Sequence, residues 1–140
     1  MAKNNLNGWS LTLLRVVLGI IFTYHGYMKL FAPGGFTGTV QFFASIGIPL
    51  APWSALVAAL VEFVGGLALI AGMLTKLSTG LLIIEMLVAF FKVHIRNGFF
   101  IGMSYGYEFV LLILASLVVL MASGAGKLSL GKLFRKKFLK

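Results

Sequence analysis

Four long apolar stretches divide the chain, at about residues 9–31, 53–74, 77–95 and 102–123. Each is near the ~20 residues that an α-helix needs to cross a ~30 Å hydrocarbon layer. They predict an all-α membrane protein, an antiparallel four-helix transmembrane bundle built from one domain over residues 1–126. Only Thr75 and Lys76 separate the second stretch from the third, a link short enough to force a helical hairpin. The fourth start is open between Tyr105 and a point near Phe99, the earlier start requiring Gly102 and Gly106 to be helical. Gly98, Gly102 and Gly106 would then form a packing stripe; otherwise they are loop glycines.

Two segments fall outside the spans. Residues 32–52 carry no charge, open with Pro33-Gly34-Gly35 and close with Pro49 and Pro52. Within them, 37–46 is apolar enough for a short interfacial helix in the first outer loop, a lid over the outer mouth being the functional alternative. From Lys127 onward, basic residues alternate with Leu and Phe. Leu130, Phe134 and Phe138 recur at i, i+4, so a helix here has one apolar face and is otherwise basic. Residues 127–140 therefore read as an amphipathic cytoplasmic tail on anionic lipids, with a disordered basic tail as the alternative.

The composition narrows the function classes. The chain has 140 residues, 60% hydrophobic and 11% charged, where a soluble domain is about one quarter charged. No room is left for a soluble catalytic domain, so a large one would belong to a partner chain. The net charge is +9, and half of the twelve basic residues follow residue 126. With this hydropathy the basic balance points to a membrane surface and not to nucleic acid. Lys3, Lys76 and the tail share one side, which places both termini in the cytoplasm by the excess of Lys and Arg in cytoplasmic loops. Arg15 interrupts the first apolar run and no small-residue cleavage site follows, so this reads as a retained span and not a signal peptide. Cysteine is absent, which excludes disulfides, thiol relays and thiolate-held zinc or iron–sulfur centres on this chain. No metal is expected.

The acidic residues carry the candidate chemistry. All three, Glu62, Glu85 and Glu108, lie inside the apolar stretches. A charge in hydrocarbon costs several kcal/mol by most accounts and needs a partner or a protein-lined cavity. Basic partners stand in the same stretches: Arg15, Lys29, Lys92 and Arg96, with His25 and His94 nearby. Helical rise sets who can meet whom. His25 and Lys29, spaced i, i+4, lie near the outer end of the first span, and Glu62 lies roughly 13 Å into the second. Lys92, His94 and Arg96 close the third span, and Glu108 lies near the outer end of the fourth. The expected site thus has His25 and Glu62 as proton-exchanging catalytic groups. Lys29, Lys92, His94, Arg96, Glu108, Tyr24 and Tyr107 surround the substrate, with Tyr27 and Tyr105 as further hydroxyls.

Arg15 and Glu85, each about two turns from the inner face, are expected to form a structural ion pair. The plainer alternative for the whole set is ion pairs that fix helix register and terminal Lys and Arg that snorkel to the headgroups. His25 and His94 could also ligate a b-type haem axially, but Lys92 and Arg96 beside His94 argue against a haem plane there. No phosphate loop, nucleophile triad or flavin fingerprint is present, which disfavours a self-sufficient enzyme.

The run His25-Gly26-Tyr27-Met28-Lys29-Leu30-Phe31 after Leu14-Arg15 resembles the DoxX family of small four-span membrane proteins. So do Glu62-Phe63-Val64-Gly65-Gly66, Val93-His94-Ile95-Arg96-Asn97-Gly98-Phe99 and Tyr107-Glu108, and together they extend the match from Leu13 to about Leu128. Arg96 and the basic tail depart from the family pattern. The resemblance implies a subunit of a quinone-linked redox system in a bacterial or archaeal cytoplasmic membrane. Its polar cluster would bind a quinone headgroup or a small anion such as thiosulfate. A soluble or membrane oxidoreductase partner and self-association are further implied. A proton-coupled transporter, a lipid-binding protein and a scaffold for soluble oxidoreductases are the competing expectations.

Overall fold

The computed structural model describes residues 2–100 and 106–138. Six α-helices follow in order: α1 (Ala2–Phe31), α2 (Gly35–Ser45), α3 (Ala51–Ala71), α4 (Thr75–Ala89), α5 (Glu108–Ser123) and α6 (Leu130–Phe138). α4 runs on through a π turn at Phe90–His94 and a 3₁₀ turn at Ile95–Asn97. Among the described residues there is no strand. Asn7–Phe31, Ala51–Ala71 and Thr75–Asn97 are long and apolar enough to cross a membrane, and the apolar α5 has 16 residues.

The helix ends follow local chemistry. Gly72, at φ 71°, ends α3 in the left-handed region that glycine alone enters without penalty. Its N–H reaches the Leu69 carbonyl at 3.0 Å, and the Met73 N–H reaches that of Ala68 at 2.9 Å. This two-bond closure turns the chain within three residues and makes the α3–α4 hairpin. At the start of α5, the Tyr107 N–H bonds to the Gly98 carbonyl and the Glu108 N–H to that of Phe99, both at 3.1 Å. Those bonds tie the start of α5 to the stretch after the 3₁₀ turn, and α5 begins at Glu108, later than either expected start of the fourth apolar stretch. Gly98 (φ 80°) and Gly106 are loop glycines, not a packing stripe. Gly102 and Tyr105 lie outside the described residues.

Both ends of the chain gather at one end of the bundle. The Lys127 N–H donates to the Gly8 carbonyl at 2.9 Å, and Ser129 Oγ donates to that of Gly72 at 2.7 Å. We call this the terminal end. The opposite loop end carries α2 and the segment 90–107. α2 packs on α1 and α3 and buries none of its own residues. α6 forms where the tail was expected to be helical, and Leu130, Leu133 and Phe134 project from it exposed. The side chains of Lys3 and of residues from Arg135 onward lie outside the description.

A single apolar core joins the four main helices through Leu18 and Phe22 (α1), Leu69 (α3), Leu82 (α4), and Ile113, Leu117 and Leu120 (α5). The tightest contact is between α1 and α3, and it is made by glycine. A Cβ placed on Gly66 would sit 2.5 Å from the Thr23 backbone N, and one on Gly19 would sit 2.8 Å from the Gly66 carbonyl oxygen. At Gly26 it would come closer still to the Phe63 backbone. Lipid tails are as apolar as leucine, so close backbone packing of this kind is what drives helix association in a bilayer.

Gly26→Val and Gly66→Val should each destabilise the bundle by about 1–3 kcal/mol, because backbone cannot yield as a side-chain tip can. Gly65→Ala, whose new methyl would meet Leu82 at an ordinary 3.7 Å, should be near neutral. Thermal aggregation of detergent-purified variants, followed by size-exclusion chromatography, reads the difference.

Candidate functional site

The α1–α3 contact carries Lys29 and Glu62 toward each other. Glu62 stands midway along α3 and Lys29 in the last turn of α1, on facing sides of the glycine seam. Lys29 Nζ donates to Glu62 Oε2 at 2.5 Å, and Glu62 is only 3% exposed. Glu85 arrives from α4, with Oε1 3.8 Å from the same ammonium. Its other oxygen, Oε2, is buried and accepts no hydrogen bond. One ammonium thus stands between two carboxyl groups from two other helices.

The cluster forms one end of a chamber of about 1090 Å³. His25, Met28 and Lys29 line it from α1, Trp53, Val57, Ala58, Val61 and Glu62 from α3, and Ile84, Glu85, Val88 and Lys92 from α4 and its extension. α2 covers it through Gly38, Phe42 and Phe43, so the segment 35–45 has the placement of a lid and not only that of an interfacial helix. A second cavity of about 380 Å³ lies toward α5, between Phe22, Met86, Phe109 and Ile113. His25, Glu62 and His94 line both spaces and so stand in the wall between them.

Of the expected site residues, the structure brings together His25, Lys29, Glu62, Lys92 and His94. Tyr24, Tyr107, Arg96 and Glu108 line neither cavity. Tyr24 points outward and is 62% exposed. Tyr107 packs its ring edge-on against Phe90 and Phe99, at centroid distances of 5.6 and 5.4 Å. Glu108 is the first residue of α5, where a carboxylate meets the positive end of the helix dipole. Lys92 and Arg96 would share a face on a regular helix. The π turn followed by a 3₁₀ turn breaks that phase, so Lys92 reaches the chamber and Arg96 does not.

The expected Arg15–Glu85 pair is not formed. Arg15 lies at the terminal end, 2% exposed, and its Nη1 donates to the Ala125 carbonyl at 2.8 Å. Nη2 makes a longer 3.5 Å approach to the Ile70 carbonyl. The guanidinium therefore serves the free carbonyls at the ends of α3 and α5. Glu85 lies ten residues beyond Thr75, about 15 Å along α4. Lys29 lies fourteen residues beyond Arg15 on α1, about 21 Å nearer the loop end. On that rise the two backbones differ by about 6 Å in depth, a gap that the Lys29 side chain spans to bring its ammonium to Glu85. The role of Glu85 in the site was missed because backbone depth alone leaves out that reach. Among the described residues, no group of three or more His, Cys, Asp or Glu is placed to hold a metal ion.

The DoxX family pattern matches residues 10–95. The chain belongs to the DoxX family. This family stretch holds α1 to α4 up to the π turn, and with them Lys29, Glu62 and Glu85. A Bacillus subtilis (strain 168) protein with the name "Putative oxidoreductase CatD" is 35% identical over 99 residues, 71% of this chain and 70% of that protein. An uncharacterized protein of Haemophilus influenzae is 32% identical over 140 residues, covering 96% of this chain and 99% of its own length. An uncharacterized membrane protein of Mycobacterium tuberculosis is 31% identical over 137 residues, covering 91% and 83%. No solved structure matches this DoxX chain.

Two predictions follow from the site's charges. Lys29→Met should destabilise the protein by about 3 kcal/mol, because it leaves buried carboxylates without their cation. Adding Glu62→Gln should recover part of that loss, as read from a double-mutant cycle of unfolding in mixed micelles. Arg15→Leu and Glu85→Gln, by contrast, should be additive within about 0.5 kcal/mol, because their side chains share no partner. A coupling above about 1 kcal/mol would restore the ion pair that the structure lacks.

Proposed function

We propose that this DoxX protein is an integral membrane subunit of a quinone-linked redox system. On this reading the quinone headgroup binds in the large chamber, against Lys29, Glu62 and Glu85. One observation carries the reading: an ionisable cluster buried at membrane depth at one end of a mostly apolar chamber. Such groups are costly to keep in a bilayer and are by default sites. The name of the Bacillus relative supports a redox role.

The residues fit a quinone. Glu85 Oε2 is a buried oxygen without a partner, and the Lys29 ammonium has donors to spare, so both a donor and an acceptor await a headgroup. They fit a small anion poorly. Two carboxyl groups face one ammonium, so an added anion meets carboxylate at close range. A bound quinone accepts two electrons and two protons. The electrons come from a partner oxidoreductase, in keeping with the small size of this chain. Lys29 donates a hydrogen bond to a carbonyl oxygen, and Glu62 and Glu85 hold protons at their carboxyl oxygens. His25 and His94, in the wall toward the second cavity, relay protons to and from them. Lys92 adds positive charge at the loop-end rim. The basic tail rests on anionic lipid.

A second reading has a specific observation behind it. Because His25, Glu62 and His94 face a cavity on each side, the same wall suits a proton-coupled transporter. Proton-driven uptake in proteoliposomes without any partner oxidoreductase would favour it.

Protein purified in mild detergent, extracted with solvent and analysed by mass spectrometry, should yield near-stoichiometric quinone. Glu62→Gln should lower that yield at least fivefold. Bulk phospholipid alone, unchanged by the substitution, would overturn the redox reading.

A further inference from the structure

We propose that the chamber opens sideways into the bilayer, between the loop-end halves of α3 and α4, and that its ligand is a membrane-dissolved amphiphile that enters there. The amphiphile rests on the headgroup site proposed above. The opening itself rests on packing.

α3 and α4 are in close contact over the terminal half. A Cβ on Gly65 would lie 3.7 Å from Leu82, and Thr75, Ser78 and Leu82 are buried. Nearer the loop end the chamber comes between the two helices. There Val57 on α3 and Ile84 and Val88 on α4 line the chamber and are also 59%, 61% and 44% exposed. A side chain that both lines an internal space and faces outward stands on its rim. Val57 is six residues into α3 and Ile84 nine residues into α4, well inside the spans. The medium outside the rim at that depth is hydrocarbon, not water.

The other boundaries agree. α2 lies over the loop end and presents Gly38, Phe42 and Phe43, and residues 32–52 contain no ionisable group, so the charge at that end is on the α4 extension, at Lys92. The polar groups sit on the far side, where Lys29 reaches in from α1. A ligand entering between Val57 and Ile84 therefore meets Lys29, Glu62 and Glu85 head first and leaves its apolar chain in the rim. About 1090 Å³ is at the top of the ~300–1,000 Å³ range for small-molecule sites, enough for a headgroup and the first part of a chain.

The test uses the full chain in lipid nanodiscs. A single reporter tryptophan is placed in the chamber by Phe43→Trp with Trp9→Phe and Trp53→Phe. Phospholipid brominated along its acyl chains should quench this reporter, and aqueous iodide should not. Narrowing the rim by Val57→Phe with Ile84→Phe should cut the bromolipid quenching at least threefold. Both rim residues are exposed, so the larger rings need not disturb the core. Quenching by iodide instead, or bromolipid quenching unchanged by the rim substitutions, overturns the side opening. A second arm compares a benzoquinone bearing a ten-carbon tail with the same headgroup without it. The tailed form should bind at least tenfold tighter, and the rim substitutions should abolish that advantage. Equal binding of the two overturns the amphiphile. If neither form binds while the bromolipid result holds, the headgroup reading fails and the opening stands.

Discussion

The backbone contact between α1 and α3 is the constraint on which the rest of this structure depends. Three glycines make it, Gly19 and Gly26 on one helix and Gly66 on the other, and no larger residue fits at those depths. Hydrophobic burial cannot hold helices together in a solvent that is itself hydrocarbon, so surface matching at van der Waals range must. Once the two backbones touch, their register is fixed. Lys29 then has Glu62 within reach of its ammonium, and Arg15 has the carbonyl end of α3 within reach of its guanidinium. The polar site and the terminal-end cap are both consequences of one glycine seam.

The two buried cations solve their burial in different ways. Arg15 turns its guanidinium to peptide carbonyls at helix ends, where partial negative charge is already present, while its Nε stays buried without a partner. That arrangement uses no carboxylate and offers no proton. Lys29 stands in the last turn of α1, but its side chain turns inward and its ammonium meets side-chain carboxyl groups. It has two. The imbalance of two acids to one base leaves the cluster neutral when it holds one proton, which is the property that proton exchange needs.

Much of this was legible from residue order. Apolar run lengths marked three helices long enough to span and the shorter α5. The narrow gap at Thr75 and Lys76 foretold the hairpin, though the turn itself is at Gly72–Leu74 and both residues open α4; the uncharged stretch between Pro33 and Pro52 contained the short helix. Glu62 and Lys29 were legible as members of one site because both lie on regular helix at countable depth, but their ion pair was not, since residue order coupled Glu62 to His25. The failures arise where counting breaks down. Glu85 was assigned to Arg15 on backbone depth alone, which leaves out the reach of the Lys29 side chain. Arg96 was grouped with Lys92 because i, i+4 spacing presumes a helix of constant pitch, and the π turn at 90–94 removes that constancy. Glu108 was read as lying within a span, whereas it is the first residue of α5. No composition signal shows that α2 lies over the chamber, since its placement is a tertiary fact.

The shortness of α5 has a consequence for the surrounding membrane. Sixteen residues rise about 24 Å, several Å less than a typical ~30 Å hydrocarbon layer. α1, on another side of the bundle, is long enough for the full thickness. The lipid annulus cannot be equally thick all round such a body. It must be pinched along α5, or that flank must be shielded by a neighbour. Either response lowers in a thinner bilayer and grows in a thicker one. Any mismatch with the bilayer thus falls on the α5 flank, along a helix that carries none of the polar cluster.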